Sequence, residues 1–165
     1  SEIPDPEIPV ISIVELGVIR FIEVIDEISI QIVITPTYSG CPAMKQIEND
    51  VRKKLIEHGF SVIEIKTIFS PPWTTDWITP QGREKLLAYG IAPPVDEVDK
   101  SVLFAEAPKV ACPRCSTMNT RMVSQFGSTA CKAHYQCNQN LCHQINHVLP
   151  SKNQMIGIPT FSESE

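Results

Sequence analysis

The chain has 165 residues, 42% hydrophobic and 20% charged, and this composition excludes a disordered protein. Its net charge of −5 at pH 7 gives no support for a nucleic-acid partner. The sequence contains no run of 18 apolar residues and no visible secretion signal, so we expect neither a membrane span nor export.

The charge is distributed unevenly along the chain. Residues 1–100 carry 16 acidic and 9 basic side chains, whereas residues 101–165 carry 3 acidic and 5 basic ones. A mildly basic module therefore follows an acidic main domain, and its small excess of base does not predict phosphate binding. We expect a cytoplasmic protein, in which cysteines are more often metal ligands than disulfides.

The first part of the chain predicts a β-hairpin. Prolines at positions 4, 6 and 9 keep residues 1–10 extended and irregular. Residues 16–25 and 28–36 then have the composition of two strands separated by Asp26 and Glu27. The second alternates more clearly, and its apolar face is expected to carry Ile28, Ile30, Ile32 and Ile34.

A helix, a strand and a shorter helix follow. Residues 41–59 predict the first helix, because apolar side chains recur at spacings of three and four, with Pro42 at its start and Gly59 at its end. Residues 60–70 alternate as a third strand, and residues 79–91 predict a second helix with Thr79 as its N-cap. The order β-β-α-β-α indicates an α+β domain with helices packed on a small sheet.

The domain boundaries follow from composition. We expect the α+β domain to span residues 1–92 and a proline-containing linker to span residues 93–110. A small zinc-ribbon-like module is expected over residues 111–149, followed by a flexible tail over residues 150–165.

Cysteines in the last third of the chain predict a metal site. They form two closely spaced pairs, Cys112 with Cys115 and Cys137 with Cys142, a spacing typical of a zinc ribbon. So short a module cannot fold securely on apolar burial alone, so a structural zinc ion would supply folding free energy.

Other uses of these sulfurs remain open. His143 is an alternative ligand in place of Cys142, and an iron–sulfur cluster on the same thiols is a further possibility. Two disulfides or inert thiols are the remaining alternatives. Cys131 is more consistent with a buried or neighbouring thiol than with a ligand, and His134 follows it three residues later.

Cys41 stands apart from these cysteines, immediately before Pro42. We expect it at the N-cap of the first helix, where backbone N–H groups and the helix dipole would lower the pKa of its thiol. Such a thiol would be a metal ligand or a nucleophile, unless it is simply a buried structural cysteine. No neighbouring histidine supports hydrolytic catalysis, and no nearby second cysteine supports a thiol oxidoreductase.

A segment rich in proline and tryptophan lies between the third strand and the second helix. Trp73 and Trp77 would either pack into the core or form a docking surface. Asp76 is the only carboxylate there, and a lone carboxylate is a poor case for acid–base chemistry.

Four stretches of this sequence resemble one family: "DPEIPVISIVELGVI", "TPTYSGCPAMKQIENDV", "SPPWTTDWITPQGREKLLAYGIAPP" and "CPRC…SQFGSTACKAHYQC". Together they are similar to the PaaD-like proteins of the phenylacetate degradation pathway. The N-terminal part also resembles the wider SufT-type family of iron–sulfur assembly factors. The tryptophan-rich segment and the cysteine module are the features specific to the PaaD-like branch.

The resemblance implies an accessory component of the phenylacetyl-CoA ring-epoxidising oxygenase. Such a protein would assist maturation of a di-iron or iron–sulfur centre of the oxygenase or reductase, with which it would interact. Cys41 matches the family's single transfer or cluster thiol, which implies transient iron or an iron–sulfur cluster. Asp5 and Glu7 match the entry loop, and with Trp73, Asp76 and Trp77 they are candidates for partner docking.

The sequence departs from the family pattern at the second cysteine pair. PaaD-like proteins usually have two residues between these cysteines, whereas "YQCNQNLC" has four. The resemblance also leaves open a stoichiometric scaffold of the oxygenase without catalysis of its own, and a homodimer.

Overall fold

The computed structural model describes residues 3–38, 40–92, 109–124, 127, 132–139, 142 and 145–148. Residues 145–148 are described through their backbone alone. The described residues form two compact units, the first ending at Gly82 and the second beginning at Arg83. In both units small sheets combine with helices, so the α+β class predicted from the sequence is confirmed.

The first unit is built on a three-stranded sheet. Its strands are β1 (Ile19–Val24), β2 (Ser29–Ile34) and β3 (Val62–Thr67), in that order. β2 pairs antiparallel with β1 and parallel with β3, so the predicted hairpin is confirmed. One face of β2 carries the buried side chains Ile30, Ile32 and Ile34, as the alternation of its sequence predicts. Ile28, predicted on the same face, lies before the strand begins and is 51% exposed.

The connection from β2 to β3 contains helix α1 (Met44–Glu57). Its buried residues, Ile47 and Val51, belong to the apolar stripe seen in the sequence. Gly59 follows the helix with φ +93°, a conformation that glycine adopts without strain. The helix begins later than predicted. Its N-cap is Ala43, and Cys41 lies before it.

A long N-terminal loop contributes much of the core of this unit. Five of its apolar side chains are at most 2% exposed: Ile8, Ile11, Ile13, Leu16 and Val18. After β3, a 3₁₀ turn (Thr75–Trp77) leads into helix α2 (Pro80–Tyr89). The hydroxyl of Thr79 accepts a hydrogen bond from the N–H of Gly82 at 3.1 Å, so Thr79 caps this helix as predicted.

The second unit contains a four-stranded sheet with the order β4-β7-β6-β5. Its strands are β4 (Ile91–Ala92), β5 (Thr120–Ser124), β6 (Ala133–Cys137) and β7 (Ile145–Val148). β5 and β6 form an antiparallel hairpin, and β4 pairs parallel with β7. A small apolar cluster supports the sheet: Ala92, Val110, Ala133 and Tyr135.

β4 was not predicted from the sequence. Its two residues fall within the range 1–92 expected for the first domain, yet they pair with a strand near residue 147. Most of the expected linker and the whole expected tail lie outside the described residues, so the domain boundaries remain a prediction. Among the described helices, none is long and apolar enough to cross a membrane.

Candidate metal centre and the Cys41 site

Four cysteines of the second unit converge on one point. Their sulfur atoms all lie within 4.8 Å of one another: Cys112, Cys115, Cys137 and Cys142. The sulfurs of Cys112 and Cys142 are 3.5 Å apart, and those of Cys115 and Cys137 are 3.6 Å apart. The structure therefore brings together the four cysteines that the sequence favours as ligands.

These distances fit a tetrahedral zinc ion. Four sulfurs bound at about 2.3 Å in a tetrahedron are separated by roughly 3.8 Å. The two measured separations are close to this value, and four thiolates are a donor set typical of structural zinc. The residues present therefore fit zinc in both geometry and chemistry.

The strands of the ribbon position these sulfurs. β6 alternates between buried and half-buried positions, which places Cys137 on the same face as Ala133 and Tyr135. Thr120 on β5 pairs with Cys137, and its hydroxyl donates a hydrogen bond to the carbonyl of Val110. Val110 lies two positions before Cys112. These contacts therefore hold the turn from Cys112 to Cys115, the first cysteine turn, beside the end of β6.

The first cysteine turn is shaped by hydrogen bonds. The N–H of Ser116 donates to the carbonyl of Cys112 at 2.8 Å, and Ser116 takes φ +57°. Burial raises the pKa of the Cys112 thiol, but hydrogen bonds from the backbone N–H groups of Arg114 and Cys115 and from neighbouring sulfurs lower it to about 6 overall. This thiolate is therefore favoured at neutral pH.

The pKa values of two neighbouring thiols, Cys137 and Cys142, are shifted in the opposite direction. The hydrogen bond with Cys112 and burial raise the pKa of Cys142 to about 12. A backbone N–H of Gln139 favours the thiolate of Cys137, but burial and the sulfurs of Cys115 and Cys112 leave its pKa raised. Crowded sulfurs that cannot all ionise together need a cation to neutralise them.

Two of the sequence alternatives lie outside the described residues. These are His143 as a replacement ligand and Cys131 as a neighbouring thiol. His134 lies on β6, paired with Ser124 of β5 and His147 of β7, and it is not among the four residues that converge.

Cys41 lies in the first unit, between β2 and α1, and is half-buried. Its backbone N–H donates to the carbonyl of Tyr38, and its carbonyl accepts from Met44. Burial raises the pKa of its thiol, as do the carboxylates of Glu7 and Asp5, and together these effects outweigh hydrogen bonds from the Ala43 N–H and the Thr37 side chain. The predicted lowering of this pKa is wrong, because burial and the carboxylates of Glu7 and Asp5 raise it and the helix starts beyond this residue.

The two carboxylates come from the N-terminal loop. Asp5 is 6% exposed, and one of its oxygens accepts hydrogen bonds from the N–H groups of Glu7 at 2.9 Å and Ile8 at 2.8 Å. These bonds hold the loop in a turn and place Glu7, which is half-buried, near the Cys41 thiol. The Asp5 carboxylate is thus buried and engaged within the loop, so little of its surface is accessible to a partner.

The tryptophan-rich segment is divided between core and surface. Trp73 is 4% exposed, and its indole N–H donates to the carbonyl of Leu16 at 3.0 Å, so it packs inside the first unit. Asp76 is exposed in the 3₁₀ turn. Trp77 is half-buried, and the guanidinium of Arg20 covers its ring at 3.3 Å from the centroid. Docking through Glu7, Asp76 and Trp77 remains a prediction.

One surface feature was missed in the sequence. Residues of β1 are exposed along most of its length, with Phe21 and Ile22 each 54% exposed and Val24 60% exposed. β1 lies at an edge of its sheet, and Ile22 and Val24 pair with the buried Ile32 and Ile30. The core face of the sheet therefore continues onto β1 uncovered by other described residues. The mixed polar and apolar pattern of β1 is the only sequence signal for this exposure.

Two protein-family models match the chain. Residues 1–65 match the model described as "Iron-sulfur cluster assembly protein". Residues 96–145 match the model described as "PaaD zinc beta ribbon domain". The first match covers Cys41, and the second covers all four converging cysteines.

Curated relatives match most of the chain in one case and about half of it in another. An Escherichia coli K12 protein, named as a putative subunit of 1,2-phenylacetyl-CoA epoxidase, is 45% identical over 138 residues, which cover 84% of this chain and 81% of that protein. The "Fe-S protein maturation auxiliary factor SufT" of Staphylococcus aureus is 35% identical over 89 residues, covering 53% of this chain and 97% of that protein. A solved structure of a domain of unknown function, DUF59, from Bacillus anthracis is 29% identical, with a TM-score of 0.48 over 51% of this chain and 80% of that one.

Proposed function

The chain belongs to the PaaD-like protein family, and from this premise we propose that it is an accessory component of a ring 1,2-phenylacetyl-CoA epoxidase system. In this proposal it assists maturation of an iron–sulfur or di-iron centre in the oxygenase or reductase of that system. The observation that carries the proposal is the combination, in one chain, of an assembly-factor unit with a half-buried thiol and a four-cysteine ribbon. We assign it no catalytic residue for epoxidation.

The ribbon would have a structural role. Cys112, Cys115, Cys137 and Cys142 would hold one zinc ion, as the convergence of their sulfurs supports. Bound zinc supplies four strong bonds that replace the apolar burial lacking in a small unit. The ribbon would then present a stable surface to a partner, while the first unit handles the cargo.

Cys41 would contact the metal cargo during transfer. Its raised pKa keeps the free thiol protonated at neutral pH, and binding of an iron cation would release that proton. The Glu7 carboxylate near the sulfur adds an oxygen donor and negative charge that favour a cation. Since one thiol and few carboxylates make a weak site, cargo could leave again, as a transfer role requires.

The proposal is tested in a host that depends on the epoxidase system. The variant Cys41→Ser is compared with wild type for ring epoxidation and for the metal content of the purified oxygenase and reductase. We expect reduced activity together with incomplete loading of one of the two components. Unchanged activity with full metal loading would exclude the transfer role of Cys41.

A stoichiometric scaffold is the second candidate, and the exposed apolar side chains of β1 favour it. An edge strand with several exposed apolar side chains is unusual unless another molecule covers it. In β1 these side chains are Phe21, Ile22 and Val24. A scaffold would copurify with the oxygenase in a fixed ratio, whereas a maturation factor would be absent from the active complex. Full activity of an oxygenase complex purified without this chain rejects the scaffold.

A further inference from the structure

We propose that Cys115 is a modification site for low-molecular-weight disulfides that carry carboxylates, and that Cys137 completes the reaction by expelling the bound thiol. The inference rests on the proposed zinc site, because the reaction removes two of its four ligands. Its premise is an asymmetry within the four-cysteine cluster, namely that one cysteine is an exposed residue and the other three are buried.

Exposure distinguishes Cys115 from its three neighbours. Cys112, Cys137 and Cys142 are 1%, 0% and 9% exposed, whereas Cys115 lies at the surface. Backbone N–H groups also hold Cys112 and Cys137 in place, the first through Arg114 and Cys115 and the second through Gln139. An electrophile from solution therefore meets the Cys115 sulfur first, because it reaches the other three only when the ribbon opens locally.

Charge selects the kind of disulfide. Residues 109–148 contain four basic side chains and no acidic one: Lys109, Arg114, Arg121 and Lys132. Arg114 directly precedes Cys115 in the turn and is exposed. Four thiolates and one zinc ion together carry two negative charges, and the four bases outnumber them. The ribbon is thus net positive, and anionic reagents approach it more readily than neutral ones.

The chemistry proceeds in two exchanges. The Cys115 thiolate attacks one sulfur of the reagent R–S–S–R, so a Cys115–S–S–R bond forms and one R–S⁻ leaves. The Cys137 sulfur lies 3.6 Å from the Cys115 sulfur. It then attacks the Cys115 sulfur of the mixed disulfide, so the bond from Cys115 to S–R breaks, a Cys115–Cys137 bond forms and the second R–S⁻ leaves. The protein loses two electrons and the reagent gains them as two thiolates. Only Cys112 and Cys142 remain as ligands, which is too few to retain zinc.

The test uses full-length protein whose zinc content is measured first. It is treated with substoichiometric 5,5′-dithiobis(2-nitrobenzoate), an anionic disulfide, and the remaining thiols are alkylated and mapped by mass spectrometry. Among the four ribbon cysteines, we expect Cys115 to react on the order of tenfold faster than the others. Zinc release, followed with a chromophoric chelator, should coincide with the Cys115–Cys137 disulfide. Peptide mapping separates reactions of Cys41 and Cys131 from those of the ribbon.

Matched variants test the role of charge. Arg114→Gln should slow the reaction of Cys115 with the anionic disulfide by about two- to fivefold at low ionic strength, and should leave its rate with neutral 2,2′-dithiodipyridine unchanged. Lys109→Gln removes the same charge outside the cysteine turn and should have a smaller effect. Equal rates in both variants and wild type would overturn the selection of anionic reagents.

Two results would overturn the site itself. One is initial reaction at Cys112, Cys137 or Cys142, and the other is a first disulfide that does not join Cys115 to Cys137. A protein that holds no zinc before treatment instead contradicts the proposed metal. The order of modification still decides the proposal for Cys115, because the exposure of this residue predicts the same order without zinc.

Discussion

At the scale of single residues, the environment of Cys41 depends on parts of the chain that are distant in sequence. The sequence predicts this cysteine at the N-cap of the first long helix, whereas that position belongs to Ala43 and Cys41 lies before it. The sequence cannot show that the fold half-buries this thiol, nor that the N-terminal loop places the carboxylates of Glu7 and Asp5 where they raise its pKa further. The sign of the pKa shift is therefore a property of the fold, and local reasoning about a helix N-terminus gives the wrong direction.

Removing the Glu7 charge should make Cys41 more reactive. Burial raises the pKa of the thiol most, and the carboxylate of Glu7 raises it further, so Glu7→Gln should lower that pKa. A larger thiolate fraction at pH 7 to 8 gives faster alkylation by iodoacetamide, measured at Cys41 by peptide mapping across a pH series. The exposed Glu27→Gln is the control and should leave the profile unshifted. A slower reaction in Glu7→Gln would contradict the arrangement.

The two tryptophans should differ in their effect on stability. Trp73→Phe removes the donor to the Leu16 carbonyl and leaves a cavity, so we expect a loss of roughly 2–4 kcal/mol in the free energy of unfolding. Trp77→Phe keeps an aromatic ring under Arg20 and should cost less than about 1 kcal/mol. Urea unfolding followed by far-ultraviolet circular dichroism compares the two. Similar losses would mean that both rings support the fold equally.

At the scale of elements, periodicity in the sequence predicts what is regular and fails where long-range pairing decides. The alternation of β2 and the stripe of α1 are local patterns, and the structure confirms both. β4 has only two residues and exists because β7 lies beside it, so no local pattern announces it. Likewise, the exposure of β1 depends on which part of the sheet α1 covers.

Gly17 should tolerate substitution far less than Gly59. Both have positive φ, +77° and +93°, so alanine at either position costs roughly 1–2 kcal/mol in backbone strain. A Cβ on Gly17 would also meet the Cβ and the carbonyl oxygen of Trp77 at 2.6 Å, whereas nothing lies within 4 Å at Gly59. We expect Gly17→Ala to destabilise the protein by about 1–3 kcal/mol more than Gly59→Ala in urea unfolding. Equal losses would show that the segment around Trp77 moves away at little cost.

At the scale of the whole molecule, the chain joins two units that are stabilised in different ways. The first unit has a core drawn from its loop, sheet and helix, with side chains such as Ile34 fully enclosed. The second has a small apolar cluster beside four cysteines. Cysteine spacing in the sequence predicts the second unit's four converging sulfurs because two tight turns suffice to define them. The number and pairing of the ribbon strands depend on contacts that this spacing does not encode.

Removal of the metal should therefore unfold one unit and spare the other. Without zinc, the crowded sulfurs lose the cation that holds them together, and the cluster around Tyr135 is too small to hold the sheet alone. After treatment with a strong chelator, backbone amides of β5 and β6 should exchange hydrogen on the order of a hundredfold faster, while those of β2 and α1 stay protected. Hydrogen-exchange mass spectrometry measures both sets in one sample, and added zinc should restore protection in β5 and β6. Protection that persists in these strands without metal would show that apolar packing is enough to fold the ribbon.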